Sequence, residues 1–380
     1  MSKLRYGIVG GGEGSFIGVV HRNALALSGQ FELVCACFSR DSGKNQRTAA
    51  SVGLDAARVY DSFAEMAAAE AARSDKPDFM VVTTRNDWHF EACKAFLETG
   101  FHVMCEKPLA TNTADALELK RIAKANDLLL AVSYTYSGHV MAMDARNRIR
   151  RGEIGDILMV MGEYPQDWLL DMADGKDHGI ATWRIDPKIA GGSNCIGDIG
   201  THIEHTVSFM TGLKIVKLCA VLDKVGEGTE LDNNAAVLLK FDNGATGCYW
   251  CSQVAAGYDN ALKVRIFGTN GAVEFDQEAS NYLKVVKKSG PVEIHSRGRG
   301  YVTAAAAAYA VIPAGHPEGY HNAFANLYLS FAEAVKDKQN GTLKPLCEYD
   351  FATVDNGIEG VRFIEACLQS ASAGGAWVDL

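Results

Sequence analysis

No uninterrupted apolar run in this sequence approaches the roughly 20 residues that a helix needs to cross a bilayer. The N-terminus, Met1-Ser2-Lys3-Leu4-Arg5, leads straight into a strand-like run, with no apolar leader and no cleavage site. The expectation is a cytoplasmic protein without a membrane partner. A basic excess is missing too: 37 Lys and Arg stand against 46 Asp and Glu, a net charge of −9. That disfavours a nucleic-acid partner, which selects a basic face, and a polybasic lipid anchor. Prolines number only 8, and no Pro- or Ser-rich linker separates the halves. The ten cysteines lack the spacing of a small disulfide scaffold and read as reduced core thiols. Cys248 and Cys251 form a C-x-x-C inside a strand-like stretch, Ala245–Val254. Positions three apart on a strand face opposite ways, so the pair reads as neither a metal site nor a redox couple.

What is present is ordinary globular material. The 380 residues are 48% hydrophobic and 22% charged, enough for two or three domains with cores of their own. Leu4–Val9 reads as a buried strand that ends at Gly10-Gly11-Gly12-Glu13-Gly14-Ser15-Phe16-Ile17-Gly18, and a helical pattern follows to Leu27. A second strand spans Phe31–Phe38. Strand, glycine turn, helix, strand is the dinucleotide-binding unit: glycines admit a pyrophosphate to the backbone, and the helix N-terminus offers it free N–H donors. The strict G-x-G-x-x-G is broken. Gly10 and Gly12 fit, position 15 is serine, and Gly14 and Gly18 flank it. Gly10, Gly12, Gly14, Ser15, Phe16 and Ile17 are the expected phosphate-side contacts. The second strand should end at the adenosine ribose, where the sequence is Phe38-Ser39-Arg40-Asp41. An acidic residue there favours NAD and a Ser-Arg pair favours NADP. Both are present, and these residues do not settle the choice; the expected cofactor is NAD, with NADP possible.

Alternation continues. Phe63–Ala72, His89–Thr99 and Ala114–Asn126 (N-capped by Thr113) read as helices, and Asp78–Thr83, Phe101–Cys105 and Leu128–Ser133 as strands. This implies a doubly wound parallel sheet, which binds ligands at the carboxyl ends of its strands. Thr83-Thr84-Arg85-Asn86-Asp87-Trp88-His89 follows one strand and Glu106-Lys107-Pro108 the next. Pro108 keeps Lys107 extended, and Glu106 beside it offers its ammonium a counter-charge. A lysine fixed at that crevice suits an anion, an alkoxide or a carbonyl oxygen; the alternative is a solvated loop charge.

After Tyr136 the grammar changes. Met141–Arg151 is helical, and strand-like runs follow at Asp156–Tyr164, Ile215–Leu222, Asn234–Phe241, Ala245–Val254, Ala261–Phe267, Ala272–Phe275 and Tyr282–Val286. Turns such as Asp242-Asn243-Gly244 are hairpin signals. Two last helices are expected near Asn322–Asp337 and Asp355–Ser370, and the Ala304–Ala308 tract reads as filler loop or helix turn. The expected architecture is α/β: a doubly wound Rossmann domain over 1–136, then an α+β domain over 137–380 with a large, mostly antiparallel open sheet. A second chemical cluster runs from Gly191 to His205, with a helix expected over Gly197–Thr211. Asp198 and His202 are four apart and share one helical face, an arrangement suited to acid–base work. A metal held by Asp198, His202 and His205 lacks a further ligand at recognisable spacing, so none is expected. A polar helix face satisfied locally is the other alternative.

The glycine turn, Glu106-Lys107-Pro108 and Gly191-Gly192…Asp198…His202, in that order and spacing, resemble the glucose–fructose oxidoreductase / inositol dehydrogenase (Gfo/Idh/MocA) family over essentially the whole chain. The resemblance implies hydride transfer between a secondary alcohol and nicotinamide. It maps Lys107, Asp198 and His202 onto the family's catalytic group, with His202 as acid/base, Lys107 on the reacting oxygen and Asp198 supporting. Thr84, Asn86, His89, Glu106 and Lys107 are implied to lie near the cofactor, with Ser39 and Arg40 at the adenosine. The stretches Tyr164–Leu169 and His316–Tyr320 look like those of the levoglucosan and glycoside dehydrogenase branch. Tyr134, Gln166, Asp167, Trp168, His178, Arg184, His316 and Tyr320 are candidate substrate contacts, since aromatics stack on sugar C–H faces and polar tips bind hydroxyls. The implied substrate is a sugar, anhydrosugar, glycoside or cyclitol, and the implied assembly a homodimer or homotetramer. Three rivals stay open: an NAD-dependent glycoside-cleaving enzyme, a non-sugar reductase, and a silent cofactor-binding regulator on the same fold.

Overall fold

The computed structural model describes residues 3–170, 182–226 and 229–380. The chain divides into two units, residues 1–135 with 324–358 and residues 136–323 with 359–380. The sequence reading places all of 137–380 in the second domain; the stretch Phe324–Ile358 belongs instead to the first unit, because its edge strand Ala352–Thr353 hydrogen-bonds to the first sheet.

In the first unit, β1 (Leu4–Gly10), β2 (Phe31–Cys37), β3 (Phe79–Thr83), β4 (His102–Cys105) and β5 (Leu130–Val132) are parallel, and the sheet runs β5-β4-β3-β1-β2 with Ala352–Thr353 antiparallel beyond β5. Every residue of β3 is buried. A strand covered on both faces reads as a continuous apolar run rather than an alternating one, which is why these strands stand out in the sequence. The intervening helices are α1 (Phe16–Leu27), α2 (Ser42–Ser51), α3 (Phe63–Ala71), α4 (His89–Glu98) and α5 (Thr113–Ala125). Thr113 is the first residue of α5, not its cap: Asn112 takes that role, its side chain accepting from Asp115 N at 2.9 Å. The helix α2 is unmarked by apolar periodicity; Asp41 caps it, accepting from Lys44 N at 2.8 Å.

The second unit holds β6 (Ile157–Pro165), β7 (Ile215–Asp223), β8 (Asn234–Phe241), β9 (Thr246–Ser252), β10 (Lys263–Gly268), β11 (Gly271–Asp276), β12 (Tyr282–Lys287) and β13 (Val292–Ser296). Their order is β13-β12-β11-β10-β6-β9-β8-β7, with Val378–Asp379 at the β7 edge; only β6 and β9 pair in parallel. Burial alternates along the strands: Val237, Leu239 and Phe241 of β8 are buried while Leu238 is exposed. The inner face packs on α6 (Val140–Arg150) and α7 (Thr201–Thr211) through Met141, Ala145, Ile203, Val207 and Met210. Cross-strand pairing gathers Met159, Met161, Val221, Leu238, Cys248 and Trp250 on the outer face. That face is flanked by the ion pairs Arg265–Glu163 (2.9 Å) and Lys263–Asp276 (3.1 Å). Cys248 thus faces away from Cys251, whose sulfur lies 3.4 Å from that of Cys195 on the inner side. The alanine tract forms a short helix, Ala304–Ala307.

Candidate active site

The glycine turn after β1 needs backbone that only glycine adopts freely: Gly10, Gly11 and Gly14 have φ of +81°, +73° and +82°. Ser15, counted from sequence as the break in the fingerprint, is the N-cap of α1, its hydroxyl accepting from Gly18 N at 3.2 Å. Gly18 takes the close-packing role of the third fingerprint glycine. A Cβ there would lie 2.0 Å from Gly11 Cα. The motif is therefore lengthened rather than broken. Phe16, at the first turn of α1, is 72% exposed, and Ile17 is half-buried. At the end of β3, Thr84 Oγ1 is buried with no hydrogen-bond partner among the described residues. A cradle of positive-φ glycines, a helix N-terminus and an unpartnered hydroxyl at a strand's carboxyl end fit a dinucleotide. Beyond β2, Ser39 Oγ accepts from Asp41 N (3.1 Å), and the Arg40 guanidinium lies 5.0 Å from the Trp88 ring centre.

Lys107 is half-buried after β4. Two neighbours that the sequence reading assigns to the cofactor are turned inward. His89 is fully buried, with Nδ1 at 2.7 Å from the Pro108 carbonyl oxygen and Nε2 at 3.1 Å from that of Thr84. Burial holds its pKa below the ordinary histidine value against the pull of those carbonyls, so the ring is neutral near pH 7, and the shorter contact assigns its N–H to Nδ1. Glu106 is 7% exposed. Its Oε1 accepts from His21 Nε2 at 2.7 Å and from the Ser133 hydroxyl, and its Oε2 from Lys107 N at 3.3 Å. Burial opposes ionisation of this carboxyl, but the hydrogen bond and charge of His21, then Ser133 and Lys107, bring its pKa below the ordinary value. Tyr134 is buried after β5, and Asn86 opens the short turn Asn86–Trp88.

In the second unit the segment expected as one helix over Gly197–Thr211 is two structures. Ile196–Gly200 is a π-helix, and α7 begins at Thr201. Such widened turns are rare and concentrate at functional sites. This one carries Asp198, while His202 lies on α7, so the 3.6-residue spacing argument does not describe their relation. Asp198 Oδ1 accepts from Arg184 Nε at 3.4 Å, and Oδ2 from Gln253 Nε2 at 3.1 Å. Because Gln253 must donate to a carboxylate, its carbonyl faces Asn194, which donates from Nδ2 at 2.8 Å. Asp232 holds the base of the assembly, accepting from Ser193 Oγ, Asn194 N and Ile196 N at 2.9–3.0 Å.

The His202 ring lies 4.8 Å from Tyr136 and 6.2 Å from Tyr164, both edge-on. Burial, with the neighbouring hydroxyls and the Asp198 charge, pushes the Tyr164 pKa well up. Tyr164 therefore stays protonated and donates to Asn260 Oδ1 at 2.5 Å. Gln166 Nε2 donates to the same oxygen at 2.7 Å, Trp168 Nε1 to Gln166 Oε1 at 3.0 Å, and Asn260 Nδ2 to Tyr136 Oη at 3.2 Å. Tyr320 joins this group, its ring 6.2 Å from Tyr136. The other candidates lie differently. Asp167 accepts from Gly257 N at 2.9 Å, His316 is exposed beside the Pro313 carbonyl, and His178 lies outside the described residues. Among the described residues no group of three or more His, Cys, Asp or Glu is placed to hold a metal. His205 instead stacks on Phe209, its pKa pushed down to about 3 by burial. Gln253 and Asn260 belong to no local motif, and sequence reading misses them; Asn194 falls inside the Gly191–His205 cluster but is not singled out there.

Among the described residues no helix is long and apolar enough to cross a membrane. The family model described as oxidoreductase family, NAD-binding Rossmann fold, matches residues 4–134, and that of the GFO/IDH/MocA C-terminal domain matches residues 142–274. An uncharacterized oxidoreductase of Bacillus subtilis, YfiI, is 35% identical over 99% of this chain and 96% of its own length. Levoglucosan dehydrogenase of Pseudarthrobacter phenanthrenivorans is 28% identical over 75% of this chain and 76% of its own. Among solved structures, an inositol dehydrogenase homolog from Azotobacter vinelandii is similar in two complexes. With NAD+ the TM-score is 0.95 at 36% identity, and with NADH and myo-inositol 0.93 at 35%, each covering 100% of this chain and 98% of that one. The lengthened glycine turn, the two-unit architecture and these matches agree: the chain belongs to the GFO/IDH/MocA family of oxidoreductases, and its first unit is that family's NAD-binding Rossmann domain.

Proposed function

We propose that this oxidoreductase converts a secondary alcohol of a sugar, anhydrosugar, glycoside or cyclitol to the ketone, with NAD rather than NADP. One observation carries the substrate class. Around His202 and Asp198 the second unit gathers Arg184, Gln253, Gln166, Asn260, Tyr136, Tyr164 and Trp168, amide and hydroxyl groups among aromatic rings. Hydroxyl-rich rings need that mixture of donors, acceptors and flat apolar faces. NAD, when bound, supplies the hydride acceptor. The protein's own residues manage the proton and the charge. His202 takes the hydroxyl proton, Lys107 holds the reacting oxygen and stabilises negative charge on it, and Asp198 binds a neighbouring hydroxyl. Arg184 and Gln253 fix the Asp198 carboxylate from two sides. Identity of 35–36% to the inositol dehydrogenase homolog, against 28% to levoglucosan dehydrogenase, makes a cyclitol the first candidate. We also propose a homodimer or homotetramer joined through the outer sheet face bearing Met159, Leu238 and Trp250; light scattering on the purified protein tests it.

The test of the reaction is a panel of inositols, aldoses, anhydrosugars and glycosides offered with NAD and with NADP, read by nicotinamide absorbance. Reduction with a cyclic polyol supports the reading. Cleaved glycoside without net reduction points to the glycoside-cleaving alternative, and inertness toward every panel member to a non-sugar reductase or silent binder.

A further inference from the structure

We propose that Glu106, His21 and His89 are positioning residues that hold the Lys107 backbone from both sides, an inference that rests on the role of Lys107 proposed above. A lysine ammonium rides on a four-carbon flexible stem, so placing it against one oxygen requires a fixed Cα. Lys107 is followed by a proline, which has no N–H. The handles left on this dipeptide are therefore the Lys107 N–H and the carbonyls. The structure grips one at each end. The Lys107 N–H points to Glu106 Oε2 at 3.3 Å, and the Pro108 carbonyl accepts from His89 Nδ1 at 2.7 Å.

Each gripping group is itself anchored. Glu106 Oε1 is held by His21 Nε2 at 2.7 Å and by the Ser133 hydroxyl. The other ring nitrogen of His21 lies 2.5 Å from the Tyr328 hydroxyl, and the ring packs edge-on against Phe324 at 4.7 Å. His21, His89, Ser133, Glu106 and Tyr328 are all at most 7% exposed. Burying a carboxylate and two imidazoles is unfavourable unless every polar atom finds a partner. Here Glu106 Oε2 and His89 Nδ1 find their partners on two adjacent residues after β4, and the side chain between the two grips is that of Lys107. His21 also lies one turn beyond Gly18 on α1, so the glycine turn and the Lys107 loop share one hydrogen-bonded frame.

The experiment uses the full chain and the variants Glu106→Ala, Glu106→Gln, His89→Ala and Lys107→Ala. Hydrogen exchange is followed on the peptide covering 102–112, NADH binding by fluorescence, and turnover with myo-inositol and NAD. Loss of either grip is expected to speed exchange in that peptide about tenfold, with the remaining peptides unchanged. Turnover in Glu106→Ala and His89→Ala should fall about 30-fold, with KM and NADH affinity within about threefold. Glu106→Gln keeps an acceptor for the Lys107 N–H when its amide nitrogen takes the Oε1 place and donates to His21 Nε2, with the His21 proton moved to Nδ1 beside the Tyr328 hydroxyl and the Ser133 hydroxyl turned to the Cys105 carbonyl; it should recover slow exchange and most of the turnover, a rescue that general destabilisation would not show. Folded Glu106→Ala and His89→Ala proteins with parental exchange in 102–112 overturn the proposal. Should Glu106→Ala or His89→Ala fail to fold, His21→Phe, which keeps a flat ring but removes the anchor of Glu106 Oε1, decides by the same readout: faster exchange in 102–112 is expected, and the parental rate overturns the proposal. Full turnover in Lys107→Ala would refute the catalytic role of Lys107 and leave the exchange result to judge the grip separately.

Discussion

Replacing Gly18 with alanine sets two opposed effects against each other. In a helix interior, alanine is normally favoured over glycine by about 1 kcal/mol, and the open helical positions of α1 should follow that rule. At Gly18 the added Cβ would stand 2.0 Å from Gly11 Cα and 2.8 Å from Gly11 O. Ordinary carbon contacts lie near 3.5–4.0 Å, so α1 must retreat from the glycine turn by about 1.5 Å. The turn cannot easily follow. Gly11 is held at φ +73°, and its carbonyl accepts from Arg22 Nη1 at 2.5 Å. Overpacking of this kind costs about 1–3 kcal/mol, which outweighs the helix-propensity gain. Gly18→Ala is therefore expected to lose up to about 2 kcal/mol in urea unfolding. The same retreat carries the N–H groups of α1 away from the pyrophosphate position, so NADH fluorescence titration should show affinity weakened about tenfold or more. A variant that gains about 1 kcal/mol and binds NADH like the parent would refute the assignment of Gly18 as the close-packing glycine.

Other consequences can be checked independently. Gln253→Leu keeps the volume of a buried side chain but removes the donor to Asp198; turnover should fall about 10- to 100-fold with NADH affinity unchanged, measured by steady-state kinetics. Glu204 is buried on α7, and burial, with the charge of Glu359 second, raises its pKa to about 8. The unfolded chain loses this proton near the ordinary glutamate value of 4.5 while the folded chain keeps it, so stability falls as pH rises from about 5 to about 8, by at most about 1.4 kcal/mol per unit. Glu204→Gln should flatten that slope, its advantage in melting temperature larger at pH 8 than at pH 5. Arg58 and Glu70 form a buried ion pair, Nη2 to Oε2 at 2.5 Å, and the Tyr60 hydroxyl also donates to Glu70. Glu70→Ala leaves the guanidinium only its longer contacts with Asp75, at 3.3–3.4 Å, and takes the acceptor from the Tyr60 hydroxyl; it should cost about 3 kcal/mol in urea unfolding.

The parallel sheet is legible in the sequence because strands buried on both faces, such as Phe79–Thr83, are unbroken apolar runs between helical patterns. The hairpins of the second unit are legible through Asp242-Asn243-Gly244 and the alternation of Asn234–Phe241. The helix Ser42–Ser51 escapes because seven of its first residues, Ser-Gly-Lys-Asn-Gln-Arg-Thr, are polar or glycine and give no apolar stripe. Val292–Ser296 escapes because an edge strand has little to bury. The return of Phe324–Ile358 to the first unit is a long-range pairing with no local signature. At the site, short motifs single out Lys107, Asp198 and His202, whereas the groups that orient Asp198 do not announce themselves. Gln253 trails a strand and Asn194 precedes a π-helix, and both acquire meaning only when the fold buries them together. Asp198 and His202 sit in turns of different pitch, which a regular 3.6-residue spacing does not anticipate. Glu106 and His89, expected at the cofactor, are buried, and their side chains bond inside the first unit.

The most direct test of the proposed chemistry pairs two variants, Lys107→Ala and His202→Asn, with wild type in one experiment: NADH formation from the polyol identified in the panel, alongside NADH titration of each protein. The account predicts turnover lowered about 10²- to 10⁴-fold in both variants with cofactor affinity held within a few-fold. Wild-type rates in either variant, at unchanged affinity, would contradict it.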